Sequence, residues 1–270
     1  MRPSVMGVLN VTPDSFSDGG RYLDPERAVE RGLAMFAEGA DVVDVGGESS
    51  RPGARPVPTA EEIARVVPVI EALAPHGRVS IDTVKAPVAE AAVAAGATLV
   101  NDISASLWPV AASAGVGFVA MHMRGTPATM QDDPRYDDVV GEVAAFLVGR
   151  AESARAAGVA EVWIDPGIGF GKNDLHNLTL LRRLPELAAL GFPLLVGTSR
   201  KGFLGRLAAA PDGTPAPVDE RLPGSLTTAA WAMLAGAAMV RVHDVAATVQ
   251  AAVLVGSSRL PDTGALGVPA

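Results

Sequence analysis

The sequence predicts an α/β protein of the (β/α)8 TIM barrel class, folded as a single domain. Three observations predict it: eight short apolar runs each end in polar residues, a helical pattern follows almost every run, and 270 residues suit a barrel that typically needs about 250. Strands covered on both faces read as continuous apolar runs rather than alternating ones. The polar residues at their C-terminal ends would then meet on one rim.

The first run, MGVLNVTPDSFSDGG at 6–20, passes from an apolar strand into a glycine-ended polar loop with Asn10 at the junction. The same event recurs in VVDVGGESSRPG (42–53), VSIDT (79–83), LVND (99–102), VAMH (119–122), VWIDPGIGFGK (162–172), LLVGTSRK (194–201) and MVRVHD (239–244). Helical patterns fall at about 25–38, 59–74, 86–95, 137–157 and 179–189, with Gly39, Gly96, Gly158 and Gly191 where helices stop. The stretch 210–222 is rich in proline and small polar residues and reads as a surface excursion. The apolar stretch 226–240 is shorter than the roughly 20 residues of a membrane helix and reads as a buried helix followed by the eighth strand. The barrel is assigned to 1–256 and a C-terminal tail to 257–270, where no period is evident and disorder is expected in part.

Hydrophobic residues make up 49% of the chain, enough for a large core, and no linker rich in proline, glycine or serine divides the alternation. Cysteine is absent, which excludes disulfide scaffolding and thiolate metal sites. A net charge of −8 argues against a nucleic-acid surface. With no secretory signal pattern and no membrane span, the expected location is cytoplasmic.

Against that acidic background the rim collects specific chemistry. Asp82, Asn101 and Asp165 end the third, fourth and sixth strands and offer two carboxylates and an amide. That set suits a flat heterocycle with adjacent ring N–H, amino and carbonyl groups. Singly, each reads equally well as a helix N-cap. Arg200 and Lys201 follow the seventh strand, while Arg241 and His243 alternate along the eighth. Barrels frequently bind phosphate between the loops after strands seven and eight, so these four residues favour an anion site over the plainer reading of rim salt bridges with the aspartates. The glycines of IDPGIGFGK lack dinucleotide-fingerprint spacing, but Phe170 is placed to stack on a ring. His122 and His176 are isolated and read as hydrogen-bonded rim or surface histidines. No spacing suggests a tightly held metal, although Mg²⁺ bound with a phosphate substrate needs only one or two protein oxygens, one of which Asn10 can supply. Two rim loops, 11–23 and 46–58, are longer than barrel connections usually are and read as lids.

Taken together, NVTPDSFSDGG, GGESSRPGA, SIDT, ND, MHMRGTP, DPGIGFGK, GTSRK and RVHD occur in an order that resembles the bacterial dihydropteroate synthases over nearly the whole chain. The resemblance implies a transferase of folate biosynthesis that joins 4-aminobenzoate to 6-hydroxymethyl-7,8-dihydropterin diphosphate. It implies pterin binding by Asp82, Asn101, Asp165 and Lys201, with Phe170 and Met121 lining the pocket. Asn10 would hold Mg²⁺ on the diphosphate, and Arg241 and His243 the diphosphate itself. Ser50, Arg51, Pro52 and Ser199 would surround the aminobenzoate or form the second loop. A homodimer and sulfonamide inhibition are implied as well. NDISAS departs from the family's frequent glycine-bearing run at Ala105, and Ser50 stands where threonine is frequent. The rival readings are a methyltetrahydrofolate-binding methyltransferase barrel, which needs no diphosphate site, and a non-catalytic pterin-binding paralogue.

Overall fold

The computed structural model describes residues 2–12, 25–49 and 55–258. Eight strands form one parallel sheet: β1 (Ser4–Asn10), β2 (Val42–Gly46), β3 (Arg78–Asp82), β4 (Leu99–Asp102), β5 (Gly117–Met121), β6 (Val162–Asp165), β7 (Leu195–Val196) and β8 (Met239–Val242). Their order is β6-β5-β4-β3-β2-β1-β8-β7, and a parallel bridge between Ile164 and Leu194 closes the ring. All eight strands lie where the apolar runs predicted them.

Ten helices are described: α1 (Pro25–Ala37), α2 (Thr59–Leu73), α3 (Ala86–Ala94), α4 (Trp108–Ala114), α5 (Val139–Ala156), α6 (Asp174–Arg182), α7 (Leu184–Ala188), α8 (Gly202–Leu207), α9 (Leu222–Leu234) and α10 (Val245–Ser258). Gly39, Gly96, Gly158 and Gly191, expected at helix stops, all take positive φ. The single helix expected over 179–189 is two. α6 begins earlier, where Asn173 accepts from His176 N at 2.9 Å and His176 Nδ1 accepts from Asn173 N in return. It ends at Arg182 because Pro185 supplies no amide and restricts the residue before it. α4 has only seven residues, too few for a period to show. The excursion at 210–222 holds one 3-10 turn, Val218–Arg221, with no buried residue. α10 extends to Ser258, two residues into the expected tail; 259–270 lie outside the described residues.

Strand register sorts the side chains by height. Outward residues such as Val5, Val43, Ile81 and Val240 pack under the helices in the main core. Inward residues Met6, Val42, Leu99, Val119, Leu195 and Met239 form a separate cluster with Trp163 inside the barrel. Below it, Arg78 pairs with Glu161, whose Oε1 also accepts from Trp163 Nε1 at 2.6 Å, and this polar plug seals the bottom. One step above the apolar layer the same inward face carries Asp44, Asp82, Asn101, Met121, Asp165 and Arg241, since Asp82 pairs with Asn101 and Met121 with Asp165 across adjacent strands. The period of two that fills the barrel with methyl groups thus delivers polar groups to its mouth.

Candidate active site

The mouth opens into a cavity of about 1370 Å³ whose wall includes Asn10, Asp82, Phe170, Ser199, Lys201 and His243. At its floor Asn101 Nδ2 donates to Asp44 Oδ2 at 2.8 Å. The Asp44 carboxylate is 2% exposed, and its Oδ1 has no aligned hydrogen bond among the described residues. Arg241 Nη1 lies 3.1 Å from Asp165 Oδ2 and 3.5 Å from Asn101 Oδ1, while Nη2 approaches Met121 Sδ at 3.8 Å. Asp165 Oδ1 accepts from Gly167 N at 2.7 Å. One guanidinium therefore serves a group of three inward carboxylates.

That imbalance sets the protonation. Burial, reinforced by the neighbouring Asp44 and opposed by Arg241, lifts the Asp82 carboxyl to about 8. Burial also raises Asp44, with Arg241 as the main opposing influence. A carboxyl that keeps its proton near neutral pH can donate as well as accept. Lys201 sits over the Phe170 ring, its Nζ 4.6 Å from the centroid, and donates to Ile168 O. Burial brings its ammonium down to about 7, against the pull of Asp165.

The turn that carries Ile168 and Phe170 depends on glycine at position 167. There φ is +62°, and a Cβ would fall 1.9 Å from the carbonyl oxygen of His122, so no side chain fits. Behind this turn Lys172 is 1% exposed, with Nζ 2.9 Å from His122 Nδ1, 3.1 Å from Gly167 O and 3.0 Å from Phe170 O. Burial pushes the His122 imidazole down to about 3. His122 is thus a buried hydrogen-bonding partner, and His176 caps α6.

Across the mouth, Ser199 Oγ accepts from His243 N at 3.1 Å and lies 3.0 Å from His243 Nδ1, which joins the seventh and eighth strand ends. Arg200 follows the plainer of its two readings. It takes φ +58° and turns to Asp244, with Nη2 2.5 Å from Oδ1 and Nε 3.1 Å from Oδ2. Arg241 likewise pairs with a rim aspartate while remaining on the cavity wall. Ser50, Arg51 and Pro52 lie outside the described residues, as do 13–23 of the first loop and 50–54 of the second.

Sequence reasoning passed over Asp44 and Lys172. The signal for Asp44 was a lone carboxylate inside the run VVDVG, since a charge in a strand covered on both faces must have a partner. Lys172, read only as the end of a glycine loop, gave no such sign. After β4, Asp102 accepts from Ser104 N, Ser104 Oγ, Ser106 N and Leu107 N at 2.6–2.8 Å. That carboxylate holds the loop in which Ala105, the departure from glycine, takes φ +50°.

The family model for pterin binding enzymes matches residues 6–243. A dihydropteroate synthase of Mycobacterium leprae is 52% identical over 94% of this chain and 92% of its own. A Yersinia pestis dihydropteroate synthase, solved as a sulfonamide drug complex, superposes with a TM-score of 0.88 at 44% identity, covering 96% of this chain and 94% of that one. A Xanthomonas albilineans dihydropteroate synthase solved with 4-aminobenzoic acid gives 0.87 at 46% identity, with the same coverage.

Proposed function

The chain belongs to the pterin-binding enzymes and, within them, to the dihydropteroate synthases, and from that premise we propose how its residues divide the reaction. The enzyme is a transferase of folate synthesis that joins 4-aminobenzoate to 6-hydroxymethyl-7,8-dihydropterin diphosphate, giving 7,8-dihydropteroate and diphosphate. The observation that carries the site assignment is the inward ring of Asp44, Asp82, Asn101 and Asp165 around Arg241 at an open barrel mouth. The methyltransferase and non-catalytic readings lose to the near-full-length match with synthases.

In this reading the pterin lies flat over Phe170 and beside Met121. Its ring N–H and amino groups donate to Asp165 and Asn101, Lys201 donates to its carbonyl edge, and Asp82 faces the ring nitrogen nearest the reacting methylene. Buried acceptors lacking a full set of donors cost about 1–3 kcal/mol each, so a ligand bearing N–H groups relieves the floor. The diphosphate points to His243 and Arg241, both on the cavity wall. Ser50, Arg51 and Pro52, with Ser199, are assigned to the aminobenzoate.

The C–O bond at the pterin methylene breaks, and its electron pair leaves with the diphosphate. The arylamine lone pair then forms the C–N bond, and the nitrogen releases a proton to solvent, so no protein nucleophile is needed. Asp165 faces the electron-poor pterin, with Asp82 and Asn101 hydrogen-bonding to it, while Arg241 and His243 hold the leaving group, all already in place before reaction.

Mg²⁺ is proposed as the cofactor. Among the described residues no three His, Asp or Glu side chains group as a metal site, so the fit is to an ion carried by the diphosphate, with the amide oxygen of Asn10 on the cavity wall as one ligand. Bound there, Mg²⁺ would offset the charge of the leaving diphosphate. A homodimer is also proposed, supported by Leu234, Val253 and Leu254, exposed on α9 and α10. No helix among the described residues is long and apolar enough to cross a membrane, and a cytoplasmic site of action is proposed. The test is to incubate the protein with both substrates and Mg²⁺ and follow dihydropteroate and diphosphate together. Their release in equal amounts is expected, and consumption of the pterin without coupled product would overturn the reading.

A further inference from the structure

We propose that Lys172 is a positioning residue for the pterin pocket, acting through the β6–α6 turn rather than by touching substrate. This rests on the pterin reading of the cavity. A lysine is almost never fully buried unless its ammonium is paired, yet Lys172 is 1% exposed and has no carboxylate within salt-bridge distance among the described residues. Its partners are instead the His122 ring nitrogen and the carbonyls of Gly167, Phe170 and, at 3.4 Å, His122. An ammonium has three N–H groups, and the three shortest of these contacts match them. They tie two chain segments that are not otherwise neighbours in sequence, the exit of β5 and the turn after β6.

What the tie holds is the pocket wall. Between Gly167 and Phe170 lies Ile168, whose carbonyl accepts from Lys201, and Phe170 carries the ring beneath that same ammonium. Gly167 N fixes one oxygen of Asp165, and Met121 immediately precedes His122. Without a donor at Lys172, the Phe170 carbonyl would lose its side-chain partner and the Gly167 carbonyl would keep only its bond from Phe170 N at 3.0 Å. The turn would then settle elsewhere, carrying Phe170 and the Asp165 anchor with it. Tyr136, whose hydroxyl donates to Gly171 O at 2.8 Å, and Phe146, packed edge-on against His122 at 5.0 Å between ring centres, brace the cage from outside.

The test is steady-state kinetics of Lys172→Met, which keeps an unbranched chain and removes the donors. The KM for the pterin diphosphate is expected to rise by about tenfold or more, since small misplacements of binding groups carry penalties of that order. The KM for 4-aminobenzoate at saturating pterin should stay within about threefold of the parent value. A merely structural role would lower the active fraction, and so the apparent kcat, while leaving both KM values alone; that pattern, or an unchanged pterin KM, overturns the proposal. If Lys172→Met does not fold, His122→Phe keeps the ring packing and removes one partner of the cage, and a selective rise in pterin KM of at least threefold is expected; equal effects on both substrates would refute it. A parent enzyme inactive with both substrates would instead defeat the pterin reading itself.

Discussion

Substituting Asp82→Asn should change how stability depends on pH. The Asp82 carboxyl stands at about 8 in the folded protein against an ordinary value of 3.8, because it is buried beside Asp44. Between those values the folded state holds a proton that the unfolded chain has released. Its contribution is therefore complete below pH 3.8 and lost as pH rises through about 8. One such proton changes the unfolding free energy by about 1.4 kcal/mol per pH unit, so from pH 5 to pH 7 the parent should lose up to about 3 kcal/mol relative to the variant. The comparison must be a difference, because other groups slope the opposite way. His122, held near 3, makes folding more favourable as pH rises toward 6.5, and Lys201, held near 7, does so above 7. Asp44, raised by burial as well, is present in both proteins. Urea unfolding followed by far-UV circular dichroism at pH 5, 6 and 7 supplies the values. Parallel pH dependences for the two proteins would show that no proton is held at this site, and the protonation argument would fall.

Three further outcomes follow from the site. Gly167→Ala would place a methyl group into the His122 carbonyl, and a loss of pterin-analogue binding of at least about 100-fold is expected by calorimetry; retained affinity would refute the close-approach argument. Ala105→Gly exchanges about 1–2 kcal/mol of left-handed strain for about 0.5–1 kcal/mol of chain entropy and about 0.8 kcal/mol of lost methyl burial. The melting temperature should move little, and a shift above about 8 °C in either direction would mean that the loop is held differently. Sulfonamides should compete with 4-aminobenzoate, so inhibition that persists unchanged at high aminobenzoate would contradict a shared subsite.

The barrel was legible because its strands are apolar runs with polar tips, a pattern that depends only on two-sided burial. The break between α6 and α7 and the short α4 were not, since a proline's effect depends on where the preceding helix starts and seven residues hold fewer than two helical turns. In the site, Asp82, Asn101 and Asp165 were readable as strand-end residues. Their grouping with Asp44 under one guanidinium was not, because it comes from strand register and barrel closure. Arg200 and Arg241, both read as rim cations at strand ends, parted company for a local reason. Arg200 sits in a left-handed turn that aims it at Asp244, whereas Arg241 lies within β8 and inherits the inward face. The buried cage of Lys172 leaves no sequence trace, since its partners are mostly backbone carbonyls.

We assign the inward polar ring at the barrel mouth as the pterin site of this dihydropteroate synthase. The most direct measurement is the turnover number of Asp82→Asn and Lys201→Ala, with folding verified by unchanged circular dichroism. Each variant should fall by about 100-fold or more while remaining folded, as expected when a preorganised electrostatic partner is removed. Near-parent turnover in both would contradict the assignment.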